Sequence, residues 1–203
     1  MRPLELILAS GSPRRSELLR SLGLSFEVRR PADGVEPAIC DCRSLDQAAQ
    51  AVEASARAKA LSVAKDCQST PVPHLILGAD TVVRYGRHTL GKPHDCAEAV
   101  AMLRRLSGRW HYVLSGLCVC RDGGKDCRVA HSITGVRFRE ISEAEIAAYV
   151  ATGLPLDKAG AYGIQDYASV FVEKINGCYF NVMGLPLQEL DKLLKTFDYR
   201  VLG

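Results

Sequence analysis

Apolar positions change rhythm along this chain, and the changes mark its elements. Leu4–Leu8 is a short apolar run of the kind that makes a buried strand. Ala9, Ser10 and Gly11 are small, Ser12 stands where a helix N-cap belongs, and Pro13 fills the first helical position. Leu18, Leu19 and Leu22 then give that helix an apolar face. Residues 24–36 read as a strand running into a Pro/Gly loop that ends at Glu36. Ser44 with Gln47 has capping-box spacing and opens an alanine-rich helix to about Ala64. Leu75–Gly78 reads as a strand with Asp80 at its end; Thr81, Val82 and Val83 continue it toward a hairpin turn around Gly86. Asp95 and Glu98 mark another helix start, buried through Met102, Leu103 and Leu106 and stopped at Gly108.

Trp110–Cys120 and Arg128–Phe138 predict two long strands joined through Asp122-Gly123-Gly124, and Ser142 with Glu145 caps a helix ending at Gly153. Residues 154–168 have no clear period, and a loop of that length is usually functional or disordered. Val170–Lys174 and Tyr179–Met183 are expected as strands around an Asn176-Gly177 hairpin turn, with Pro186 starting a last helix to about Phe197. Strands alternate with helices but include hairpins, which predicts an α/β fold with a mixed sheet. The 203 residues suit one domain over 1–203, with room for two lobes.

Composition narrows the functional classes. With 47% hydrophobic and 24% charged residues the chain is of globular type, and no apolar stretch approaches the ~20 residues of a membrane span. No basic region followed by a long apolar segment stands at the N-terminus, so no signal peptide is expected. A net charge of +3, with no basic run, argues against a nucleic-acid partner. Cys40/Cys42 and Cys118/Cys120 are CxC pairs and CxxC is absent. Cysteines inside apolar patterns read as small hydrophobes, so neither a zinc site nor a disulfide framework is expected, and a reducing cytosol is the default.

Two arginines break the pattern at the first helix. Arg14 and Arg15 occupy its first turn, where cations oppose the helix dipole by ~0.3–1 kcal/mol each. They are either solvated surface groups or part of a polyanion site, since helix N–H groups, hydroxyls and guanidinium forks all suit phosphate; the attached Ser-Gly-Ser-Pro turn favours the second. Asp80 follows a buried apolar run and is the sharpest candidate for a proton acceptor, although an Asp at a strand end also caps turns. Glu36, Lys59 and Lys92 are ordinary surface residues taken singly. Together the set holds cations for phosphate oxygens and carboxylates to activate water or hold a divalent metal. Walker A, GxGxxG and HxE…CxxC are all absent, which removes P-loop, dinucleotide and zinc-deaminase readings.

The motifs ASGSPRRSELL, GADTVV, LGKP, MLRRLSGR, DKAGAYGIQ and NVMGLPL occur in the order and spacing of the Maf family of nucleoside triphosphate pyrophosphatases. The chain resembles that family from about Leu4 to Phe197. The resemblance implies an elongated mixed sheet with helices around a nucleotide-binding cleft, related to inosine triphosphatases. It also implies a cytoplasmic homodimer and a divalent cation, Mg²⁺ or Mn²⁺. The implied reaction cuts a nucleoside triphosphate between the α and β phosphates. By motif, Asp80 matches the water-activating acid, Ser10, Arg15, Lys59 and Lys92 match phosphate-contacting groups, and Glu36 with Asp80 matches the metal ligands. Arg14, Thr81 and Gln165 resemble the branch acting on dTTP, UTP and modified pyrimidine nucleotides, and a Gln amide suits the O4 and N3–H edge of uracil or thymine. The alternatives are 7-methyl-GTP as substrate, or a non-catalytic nucleotide-binding regulator of cell division. Asp166-Tyr167 departs from the pattern, where glycine usually follows the Gln.

Overall fold

The computed structural model describes residues 4–35, 37, 42–67 and 73–202. Glu36 and Cys40 lie outside the described residues. Seven strands among the described residues form one sheet: β1 (Glu5–Ala9), β2 (Phe26–Arg29), β3 (His74–Tyr85), β4 (His88–Leu90), β5 (Trp110–Arg121), β6 (Asp126–Phe138) and β7 (Val172–Asn176). The order is β2-β1-β3-β5-β6-β7, with β4 beside β3. β1 runs parallel to both neighbours, and the pairings from β3 to β7 are antiparallel. The parallel pairs need crossovers, which α1 (Pro13–Ser21) and α2 (Leu45–Asp66) supply. This is the mixed α/β sheet the alternation of elements predicts.

Both faces of the sheet are covered. On one, Ile7, Ile76, Cys118 and Cys120 pack against Ala56, Ala60, Val63 and Ala64 of α2. On the other, Leu6, Leu8, Leu75, Leu77, Leu117 and Val119 meet Leu18 and Leu19 of α1 and Leu190, Leu193 and Leu194 of α6 (Leu187–Lys195). A third cluster joins β3, β5 and β6 to α3 (Cys96–Leu106) and α4 (Glu143–Ala151) through Leu103, Leu106, Phe138, Ile146 and Tyr149. The helix starts follow their caps. Ser44, Asp95 and Ser142 accept from the backbone N–H three residues on, and Glu145 returns the bond to the Ser142 N–H. Gln47 closes on the Arg43 N–H instead of completing a box with Ser44.

Three expectations are corrected. Asp80 is not at a strand end: β3 runs unbroken from His74 to Tyr85 and Asp80 pairs with Gly116 of β5. Tyr179–Met183 is a helical turn, α5, not a strand. β7 pairs with β6, and the chain after Gly177 folds inward, with Thr134 Oγ1 donating to the Cys178 carbonyl and accepting from its N–H. The Asn181 amide, fully buried, donates to the Val113 carbonyl and Thr134 Oγ1, anchoring the turn. Finally, Cys120 and Cys127 form a disulfide across β5 and β6. Register places them opposite one another across the β5–β6 hairpin, seven residues apart in the chain.

Candidate active site

The site grows out of a gap beside β3. β1 leaves it after the Ala9–Gly78 pair, and β4 joins it only at Val83. Residues 79–82 therefore have a strand neighbour on the β5 side only, and the opposite edge opens into a cleft of about 870 Å³, within the usual range for a small-molecule site. Ligand sites in open α/β sheets gather where strand order breaks in this way.

Two-residue alternation decides which partners β3 presents there. Gly78 and Asp80 face α2, while Ala79 and Thr81 face α1. A Cβ at Gly78 would sit 2.1 Å from the Ala56 carbonyl oxygen, and one at Gly116 would sit 2.3 Å from that of Val52. These two glycines let α2 lie close on the sheet. Lys59, two-thirds of the way along the same helix and buried, then reaches Asp80, with Nζ donating to Oδ1 at 2.7 Å. Asp80 Oδ2 takes no hydrogen bond from the described residues and the carboxylate lines the cleft.

On the other face, Arg15 is only 8% exposed. Its Nε donates to the Gly184 carbonyl at 3.0 Å and its Nη1 to the Ala79 carbonyl at 2.8 Å, the oxygen on the vacated strand edge. It also donates to Ser10 Oγ at 3.0 Å and Thr81 Oγ1 at 3.1 Å. The residue thus fixes α1, β3 and the turn at Gly184 to one another. Ser10 Oγ accepts from Arg15 and from the Ser12 N–H, which leaves its own O–H to donate. Ser12 makes no side-chain cap and α1 carries no acid in its first turn, so the helix start keeps its affinity for an anion.

Arg14 spans the cleft, donating to Asp157 Oδ2 at 2.9 Å. Arg15 is therefore no solvated surface group, and Arg14, partly exposed, is paired across the cleft. Asp157 also accepts from Lys158 at 2.7 Å. Burial works to raise the Asp157 carboxyl pKa, but the bonds from Lys158 and Arg14 together hold it below its ordinary value. Lys158 is buried, donates to the Leu154 carbonyl and lies 3.5 Å from Asp166 Oδ2. Asp166 accepts from the Tyr149 hydroxyl and the Ala168 N–H, both at 3.0 Å. The departure at Asp166 is thus a structural tie that orders the segment carrying Gln165.

The cleft brings together Ser10, Arg14, Arg15, Lys59, Asp80, Thr81, Lys92 and Gln165; Glu36 lies outside the described residues. Asp157 and Lys158 belong to the same wall; the sequence reading placed them in the DKAGAYGIQ motif but gave them no role. Their signal was the aperiodic stretch 154–168, but the partner of Asp157 lies 143 residues away.

A family model for Maf-like proteins matches residues 5–197. The chain belongs to the Maf family. Its Maf relatives include a Pelotomaculum thermopropionicum protein named dTTP/UTP pyrophosphatase, 43% identical over 98% of this chain and 99% of that one. Proteins of the same name from Hahella chejuensis and Gloeobacter violaceus are 45% and 46% identical, covering 97% of this chain and 94% and 97% of their own. Among solved structures, a HAM1 protein from Coxiella burnetii is similar with a TM-score of 0.47 and 15% identity, covering 96% of this chain and all of that one. No helix among the described residues of this Maf chain is long and apolar enough to cross a membrane.

Proposed function

We propose that this chain hydrolyses dTTP and UTP, and modified pyrimidine triphosphates, to the monophosphate and pyrophosphate. The observation that carries the reading is the Lys59–Asp80 pair at the open edge of β3, in a family member whose relatives bear that name. Lys59 holds Oδ1 and so orients the carboxylate. Oδ2 is left to accept the proton of a water that attacks the α phosphorus. Ser10 donates its O–H to a phosphate oxygen, and the α1 N–H groups with Lys92 take up the remaining negative charge. Arg15 serves the phosphates through the groups it fixes. Arg14, Thr81 and Gln165 select the base and its attached groups.

A divalent cation, Mg²⁺ or Mn²⁺, fits this donor set. Such ions take one or two carboxylates plus substrate phosphates, and Asp80 Oδ2 is a hard oxygen with no hydrogen bond from the described residues. Asp80 would hold it, with Glu36 as the second carboxylate the family pattern suggests. When bound, the ion neutralises charge on the phosphates and on the pyrophosphate leaving group. The reading includes a cytoplasmic homodimer, for which light scattering of the purified protein is the direct check.

The test is a panel of canonical, modified and 7-methylated triphosphates with pyrophosphate as readout. Pyrophosphate is expected from dTTP and UTP, with activity lost to a chelator and restored by Mg²⁺ or Mn²⁺. Asp80→Asn should fold yet lose at least about 10²-fold in turnover. Stepwise orthophosphate release would overturn the mechanism, and a dominant rate on 7-methyl-GTP would overturn the substrate. Binding without any product would favour a regulator instead.

A further inference from the structure

Three cysteines gather away from the cleft. Alternation along β5 puts Cys118 and Cys120 on the face covered by α2, and the β5–β6 register sets Cys127 opposite Cys120. Cys118 Sγ lies 3.5 Å from Cys120 Sγ. The three sulfur atoms all lie within 4.8 Å of one another, and this is the only group of three or more His, Cys, Asp or Glu donors so placed among the described residues. Ile7, Ala60, Val63 and Ile76 surround them.

We propose that Cys118, Cys120 and Cys127, with the Cys120–Cys127 bond reduced, bind one thiophilic d¹⁰ cation, Zn²⁺ or Cu⁺. The donor set is all sulfur. It selects soft and borderline cations over Mg²⁺ or Ca²⁺, which need oxygen. Zn–S bonds of about 2.3 Å place tetrahedral sulfurs about 3.8 Å apart; Cys118 and Cys120 already stand 3.5 Å apart, every pair lies within 4.8 Å, and Cys127 has to move off Cys120 once their bond is reduced. Cys118 and Cys120 are sealed in the core, whereas Cys127 is partly exposed. Cys127 therefore marks the entry path, and Zn²⁺ would complete its fourth position from that side. Three thiolates on Zn²⁺ leave one negative charge; burial pushes the Cys118 thiol up to about 12 and Arg57 of α2 offsets only part of that, so thiolate formation there depends on the bound cation.

The site and the disulfide exclude each other. Reduction by a dithiol delivers two electrons and two protons to the Cys120–Cys127 bond and leaves two thiols, the reductant closing its own disulfide. The cation then displaces one proton to solvent for each thiolate formed. Binding is thus confined to the reduced protein.

The experiment uses the full chain, reduced with a phosphine and freed of metal. Zn²⁺ is titrated against a chromophoric chelator, Cu⁺ against bicinchoninate without oxygen, and Co²⁺ reports sulfur-to-metal charge transfer. One equivalent should bind. Cys127→Ser and Cys118→Ala should each weaken binding by more than the roughly 10–100-fold that loss of an outer-shell partner costs. Protein with the bond closed should bind no better than those variants. Which cation competes better distinguishes zinc from copper. The proposal falls if reduced wild-type protein holds neither ion more tightly than Cys127→Ser, or if the charge-transfer band survives in Cys118→Ala/Cys127→Ser. A second measurement needs no variant: Zn²⁺ should slow alkylation of Cys127 in the reduced wild-type chain, read by mass spectrometry. An unchanged rate overturns the site.

Discussion

Arg15 shows how much one side chain can organise. Its guanidinium is the donor for two carbonyls, at Ala79 and Gly184, that no lysine can serve at once in the same plane. Arg15→Lys keeps the charge and loses the fork. Each carbonyl left without its donor costs about 1–3 kcal/mol. The expected result is a lower urea midpoint and, because Ser10 and Thr81 lose the same anchor, a fall in turnover beyond the loss of stability. Turnover measured well below the unfolding transition separates the two effects. A variant as active and as stable as wild type would show that Arg15 is not the anchor the geometry makes it. The role was half legible in the sequence. Two arginines at a helix start were plainly out of place, but that one turns inward to carbonyls and the other crosses to Asp157 depends on contacts 64, 169 and 143 residues away.

At the level of elements, the approach of α2 to the sheet sets the Lys59–Asp80 pair. Gly78 and Gly116 flank Asp80 on the α2 side, one on its own strand and one as its cross-strand partner. A methyl group at either place overlaps helix backbone, which cannot yield as a flexible side chain does. Gly78→Ala is expected to destabilise by at least the ~1–3 kcal/mol typical of overpacking. It should also lower turnover by displacing Lys59 from Asp80. Chemical denaturation with parallel kinetics checks both, and a neutral Gly78→Ala would mean that the helix rides freely on the sheet. The strong caps at Ser44, Asp95 and Ser142, and the periodic helices behind them, were legible because their signals are local. The unbroken course of β3 through Asp80 was not, although Thr81–Val83 were read as its continuation. Gly78-Ala79-Asp80 reads as a strand end, yet small and acidic residues stand there because a helix and a cleft press on the strand. The five residues of α5 are too few to show any period, and their inward anchor, Thr134, belongs to another strand.

Across the whole molecule, pH acts through a histidine that joins the sheet to the cleft wall. His111 of β5 is fully buried, with Nε2 2.9 Å from the Tyr162 hydroxyl and Phe138 edge-on at 4.8 Å. Burial pushes its pKa down from 6.5 to about 4. A histidine depressed in the folded state is stabilising where it is neutral in both states, above about pH 6.5. Below that the unfolded chain takes up a proton that the folded chain refuses, so stability falls with pH until the folded group also titrates near 4. The full effect is about 3 kcal/mol, with a slope of at most one proton. Glu145, held down to about 2 by Arg139 and Ser142, loses its contribution only below its ordinary 4.5, as pH falls toward 2, so the two groups act in successive windows. Thermal or urea unfolding between pH 7 and 4.5 should therefore show a steady decline that His111→Gln flattens. Tyr162 lines the cleft wall with Gln165, and the proton that folded His111 takes up only near pH 4 leaves both ring nitrogens as donors, so Nε2 can no longer accept from the Tyr162 hydroxyl. Nucleotide binding should therefore hold, with a flat KM, while stability declines between pH 7 and 4.5, and weaken only as pH approaches 4. A KM still flat near pH 4 would mean that the histidine supports the sheet alone and that the cleft wall is held by the Tyr149–Asp166–Lys158 tie instead.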